Sequence, residues 1–400
     1  MSDEAEGPVP GAPPARTRSK GYLALVLHAH LPFTRHPEHP FFLEEQWFYE
    51  AMIETYIPLL VNMEGWEEDG IYWRLTMSLT PPLVSMMADE LLRDRFEEHL
   101  TRMEELTEKE LDRTGDRPEF ARTATYYVER IAECRRVWEA WDHDLLAAFR
   151  HYAATGKLEI ITCGATHGFL PYLAEVPGSV KAQVEVAARC HERHLGRRPR
   201  GIWLPECAYE AANDRFLAEA GIEFTFNDTH GVLHANPRPT RGVYAPVKTP
   251  EGIHVFARDI ESSRQVWSKE IGYPGDPNYR EFYRDIGYDL EMEYILPYIH
   301  SGLEIRINTG IKYHAVTGEV DLADKDLYDP EAAAARAQLH GADFVKNRRL
   351  QTAWLSQHMD RPACVVSPYD AELFGHWWYE GPQFVDAVMR RLNDDLESVA

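Results

Sequence analysis

Four short polar clusters hold the residues most able to do chemistry, and each follows an apolar run. Residues 22–27 lead into His28 and His30. Residues 158–163 lead into "GATHGFLP", with His167. Residues 201–204 lead into "PECAYE", with Glu206. Residues 363–367 lead into "PYDAELFGHWWYEG", with Asp370, Glu372 and His376. Two carboxyl groups across a cleft, framed by His and Trp, suit glycosidic-bond chemistry: one protonates the leaving oxygen, and the other attacks the anomeric carbon or activates water. The same residues also fit a second chemistry. HxH on a strand with a third His and an Asp would serve as a zinc set, as in a metal-dependent hydrolase such as a deacetylase. Spacing alone leaves both open. Each residue has a structural reading too. A histidine after a strand is often a satisfied core group, Glu206 could cap a helix starting near Ala208, and Asp370 could be a turn residue after Pro368. Four independent strand ends carrying polar residues argue for a site.

Elements of a particular kind must bring these residues together. The runs at 22–27, 71–79, 158–163, 201–204, 223–226, 254–257 and 363–367 read as buried strands. Residues two apart on a strand share a face, so His28 and His30 project together. Helical patterns between the runs imply parallel strands with crossover helices. About seven such strands favour a barrel, with one rim collecting the carboxyl ends of all its strands. Residues 83–155 break the rhythm. Tyr127, Ile131, Cys134, Trp138, Trp141, Leu145 and Phe149 recur at steps of three and four, which predicts one long helix. Met87, Leu91, Phe96, Leu100 and Met103 predict its partner. The expected organisation is therefore an α/β chain: a disordered tail over 1–19, a (β/α)7 barrel over 20–82 and 156–381, an inserted helical hairpin over 83–155, and the start of a truncated helical region over 382–400. The stretch from Trp267 to about Arg349 mixes tyrosines, turns and an Ala-rich helix, and reads as a functional loop region.

Composition excludes several partners. The 400 residues carry a formal net charge of -23. This argues against nucleic acid and anionic membrane surfaces, which need basic patches, and suits a neutral substrate. No segment approaches the ~20 apolar residues that span a bilayer. Five cysteines with no CxxC pair fit a reduced, cytoplasmic setting. A monomer is expected. The 10 Trp, 20 Tyr and 16 Phe are enough to fill a core and still wall a sugar cleft.

"HAHLPF", "GATHGFLP", "WLPECAY" and "SPYDAELFGHWWYEG", in that order from about Gly21 to Gly381, resemble the successive motifs of glycoside hydrolase family 57, and most of all its 1,4-α-glucan branching enzymes. The resemblance implies a (β/α)7 barrel, a retaining mechanism, no catalytic metal and no cofactor. It makes Glu206 the nucleophile and Asp370 the general acid/base. It places His28, His30 and His167 at the donor subsite, with Trp203, Trp267, Phe374, Trp377 and Trp378 as further substrate-binding residues. The substrate it implies is an α-glucan such as amylose, amylopectin or a glycogen-like polymer, in glycogen- or starch-type metabolism. Two departures stand out. Branching members continue into a C-terminal helical domain, whereas this chain stops at Ala400. The segment "NDTHGVLHANPRPTRGVYAP" resembles the family's mobile loop over the site, where a Tyr is usual; here it offers His230 and His234, with the nearest Tyr at Tyr244. Both departures keep an α-1,4-glucan hydrolase and a non-catalytic glucan-binding protein as alternatives.

Overall fold

The computed structural model describes residues 19–268, 271–299 and 305–394. The tail expected over 1–19 falls outside these residues but for Lys20's neighbour Ser19, and residues 395–400 lie outside them as well. Eight strands form: β1 (Gly21–Ala29), β2 (Leu75–Leu79), β3 (Leu158–Cys163), β4 (Gly201–Trp203), β5 (Phe224–Asn227), β6 (Val247–Lys248), β7 (His254–Ala257) and β8 (Ala363–Asp370). Their order is β6-β7-β5-β4-β3-β2-β1-β8. Every pairing is parallel except that of β6 with β7. All seven expected runs are strands. The two-residue β6 is too short to leave a sequence signal.

The sheet curls until its ends meet. Arg258, just past β7, bridges in parallel to Val366 of β8, and the Asp259 N–H donates to Val366 O at 2.8 Å. Seven parallel strands thus make the expected ring, with β6 outside it. Lower in the same seam the Cys364 N–H donates to Tyr244 O at 2.9 Å.

Strand alternation divides the core in two. Val26, Ile161, Cys163, Trp203, Phe226 and Val366 turn inward, with Phe224 and Phe256 against them. Leu25, Leu27, Leu75, Met77, Leu158 and Ile160 turn outward onto the helices. The inward rings make a floor: Trp203 and Phe256 each lie 5.9 Å from Phe226, centroid to centroid.

Residues 83–155 are helical as expected, but the predicted single long helix is two. Helix Pro118–Ala140 stops before Asp142 and His143, both at positive φ, and helix Leu145–Ala154 follows. The His143 ring stacks on Trp138 at 5.1 Å, closing the corner. The apolar stripe runs across the break because both helices bury onto the same core, which is continuous with the outer face of the sheet. The Ala-rich helix spans Pro330–Leu355, and helix Gly381–Asn393 packs on it where Gly341 meets Ala387; a Cβ on Gly341 would lie 2.6 Å from that of Ala387. Among the described residues no helix is long and apolar enough to cross a membrane.

Asp259 pins the β7–β8 seam. Its carboxylate caps helix Ile260–Trp267 through the Ser262 N–H (2.8 Å) and accepts from Arg348 Nη1 (3.1 Å) and Gln351 Nε2 (2.9 Å). The Arg348 and Asp259 side chains are 0% and 2% exposed. Breaking a buried pair leaves an uncompensated charge, so Arg348→Leu should lose about 3–5 kcal/mol of stability in denaturant unfolding. A loss under about 1 kcal/mol, within the range of an ordinary surface change, would show that the seam does not depend on the pair.

Candidate active site

The inward alternation continues past the strand ends, and there it changes from apolar to polar. Val26 is followed on the same face by His28 and His30, Phe226 by Asp228, Phe256 by Arg258, and Val366 by Pro368, Asp370 and Glu372. Of these, His28, His30, Asp228, Arg258, Asp370 and Glu372, with His167 and Glu206, line one cavity of about 950 Å³.

The histidines form a stack. His28 Nε2 lies 3.1 Å from His167 Nε2, and the His28 ring packs on Trp203 at 5.0 Å. His30 stacks on His167 at 3.9 Å and meets Thr80 Oγ1 through Nδ1 at 3.1 Å. Burial, reinforced by mutual repulsion, holds His28 well below the usual imidazole range and His30 at about 3. Burial also lowers His167, against the pull of Glu206. The stack is therefore neutral at neutral pH and able both to donate and to accept.

Glu206 is exposed into this cavity. It sits in the turn Pro205–Cys207 at φ 58° and ψ 24°, and Cys207 (φ 53°) and His167 (φ 53°) are also left-handed. Non-glycine residues in that region store strain and gather at functional sites. No helix starts near Ala208; the next helical turn, Ala211–Asn213, has Glu210 at its N-cap, so Glu206 is not a helix cap. Asp370 is pushed up to about 6 by burial and by the Glu206 charge, while Arg258 opposes the shift. Glu372 accepts from the His30 N–H (3.0 Å) and from the Tyr56 hydroxyl. Burial, with Asp370 adding to it, lifts it to about 8, so it is a neutral acid at neutral pH.

Trp267, Trp377 and Trp47 line the cavity and are 38%, 46% and 49% exposed. Trp267 and Trp377 lie 6.1 Å apart. Two expected aromatic residues are elsewhere. Phe374 (0%) and Trp378 (2%) are buried in the core against Phe384, because the turn at Gly375 directs only Trp377 outward. His230 and His234 are exposed and do not line the cavity. They belong to helix Thr229–Leu233 and its C-cap, which points them away; the preceding Asp228 lines it instead. Tyr244 is in the seam, beside Gln351. Trp47, Asp228 and Arg258 were not legible from the motifs, although stepping two residues beyond Phe226 and Phe256 on the strand period reaches Asp228 and Arg258.

Among the described residues one group could hold a metal: His28, Cys163 and His167, with ligand atoms within 4.8 Å of one another. It does not include Asp370. Burial pushes the Cys163 thiol well up, away from the thiolate a metal would need. This is not the His/His/His/Asp set that the spacing suggested.

The sequence profile of Glycosyl hydrolase family 57 matches residues 24–332. A 1,4-alpha-glucan branching enzyme of Thermococcus kodakarensis is 32% identical over 93% of this chain and 56% of its own length. The chain thus spans little more than half of that relative. Among solved structures, the alpha-amylase AmyC from Thermotoga maritima superposes with a TM-score of 0.91 at 44% identity, covering 95% of this chain and 73% of that one. The GH57-type branching enzyme from Pyrococcus horikoshii gives 0.79 at 33% identity, over 95% and 68%. Four motifs in one order, a seven-stranded ring that gathers them at a single rim, and a profile that spans most of the barrel agree: the chain belongs to glycosyl hydrolase family 57.

Proposed function

We propose that this chain is a retaining α-1,4-glucan transglycosylase that makes α-1,6 branches. The observation that carries the reading is the arrival of Glu206 and Asp370 in one cavity, walled at its mouth by Trp47, Trp267 and Trp377. Glu206 attacks the anomeric carbon while protonated Asp370 gives its proton to the departing glycosidic oxygen. The resulting ester breaks when Asp370, now a carboxylate, takes a proton from an acceptor 6-OH that attacks the same carbon. Two inversions retain the α configuration. The electrostatics support the alternation. The Glu206 charge helps keep Asp370 protonated for the first step, and ester formation removes that charge, easing Asp370 into its role as base. The neutral histidine stack is suited to hydrogen-bonding the hydroxyls of the bound sugar. Likeness to the branching enzymes supports transfer; likeness to AmyC at 44% identity supports hydrolysis as the second reading.

Incubation with amylose separates the two. Branching raises α-1,6 signals in proton NMR with few new reducing ends, and hydrolysis raises reducing ends alone. Glu206→Gln should reduce turnover of either kind by roughly a thousand-fold or more, as removal of a nucleophile does; turnover within a few-fold of the parent chain would refute the mechanism. The first step needs Asp370 protonated, so kcat/KM should fall as pH rises through about 6. Arg258 favours the ionised form, so Arg258→Gln should move that alkaline limb to higher pH. A limb that stays in place or moves to lower pH would show that Arg258 does not act on the acid.

A further inference from the structure

Behind the cavity mouth lies a set of buried charges that the two-carboxyl chemistry does not use. Arg280 Nη2 donates to Glu54 Oε1 at 2.7 Å, and the two side chains are 2% and 9% exposed. Arg280 is fixed from three other sides. Its Nη1 reaches Gly310 O (3.1 Å) and Tyr127 Oη (3.3 Å), and the Tyr379 ring lies 3.6 Å from the guanidinium. The second oxygen of Glu54, Oε2, accepts from His376 Nδ1 at 2.7 Å.

The backbone aligns the same three residues. Glu54 belongs to the π-helical turn Met52–Tyr56, a local widening of the helix that recurs at functional positions. Gly375 packs its backbone on that turn. Its φ is 123°, and a Cβ there would lie 1.8 Å from Glu54 O, so only glycine fits. His376, the next residue, is thereby held by a backbone contact on one side and by the Glu54 carboxylate on the other. A carboxylate on Nδ1 fixes the orientation of an imidazole and commits Nε2 to whatever faces it. His376 lines the cavity beside Trp377, is 20% exposed, and among the described residues its Nε2 has no protein hydrogen-bond partner.

We propose that His376 is a substrate-binding residue, whose Nε2–H donates to a hydroxyl of the glucan chain at the cavity mouth, and that the buried Arg280–Glu54 pair positions it for that contact. The inference rests on the α-glucan reading above. Burial works against a charge on His376, yet the Glu54 hydrogen bond and the Glu54 and Glu50 charges outweigh it, and Lys312 opposes them; the balance is upward. Arg280 and His376 in turn hold the Glu54 carboxyl down at about 2 despite its burial. The donor is therefore cationic over more of the pH range than an ordinary histidine.

The test is calorimetric titration of maltohexaose into Glu206→Gln, which keeps the cavity without turnover. Adding His376→Ala should weaken binding roughly ten-fold, the loss of one charged hydrogen bond, at a temperature where circular dichroism shows the variant folded. Adding Glu54→Gln instead removes the charge that holds the proton on His376, so affinity should fall away at lower pH than in Glu206→Gln alone. Equal affinity with and without His376→Ala overturns the proposal. Should His376→Ala fail to fold, 15N-histidine NMR of Glu206→Gln decides. The His376 ring nitrogens, identified by their change in the Glu54→Gln variant, should shift on saturation with maltohexaose, and resonances that stay put overturn it as well. A Glu206→Gln protein that binds no maltohexaose overturns the glucan reading itself, and this inference with it.

Discussion

A ring of parallel strands holds only if its last seam holds, and between β7 and β8 the ladder is reduced to one bridge, Arg258 to Val366. Asp259 supplies what the missing ladder cannot. It donates its backbone N–H across the seam, caps the helix that leaves it, and receives Arg348 and Gln351 from the long helix behind. The proposed chemistry depends on this join because Arg258 and Asp370 stand on opposite sides of it. A slip of one residue would turn either side chain out of the barrel.

Much of this was legible in the sequence for one physical reason. The strands are short, apolar on both faces and separated by helical pattern, so their positions follow from composition alone. His28, His30, His167, Glu206 and Asp370 follow from their places at strand ends. Arg258 and Asp228 are no less part of the rim, yet each is a single charged residue before a helix, where a capping role is the ordinary expectation. Only the period-two count from the inward phenylalanines marks them. Phe374 and Trp378 show the opposite failure: they sit in the richest motif of the chain, but a left-handed glycine between them sends one neighbour outward and keeps both of them in the core. The break near Asp142 was hidden because the apolar stripe resumes in phase on the next helix. The link from Arg280 through Glu54 to His376 ties Glu54 to two residues, each more than two hundred positions away, which no local pattern can reveal.

The site sorts its charges by depth. Buried groups are neutral: the histidine stack loses its protons, and Glu372 and, in part, Asp370 keep theirs. Charge survives where it faces the cavity or a buried partner, as at Arg258 and Glu54. The chain as a whole is strongly acidic at -23, but the cavity presents mostly uncharged hydrogen-bonding groups, which suits the uncharged ligand proposed for it.

The aromatic floor beneath the rim has a kinetic meaning. Trp203 lines the cavity and Phe226 and Phe256 pack behind it, so on the proposed reading water and an acceptor sugar share the mouth walled by the tryptophans. On the proposed mechanism, whichever occupies that mouth first takes the glycosyl group. The ratio of transfer to hydrolysis then becomes a matter of competition rather than of separate machinery, and it rises with glucan concentration without any change in the protein.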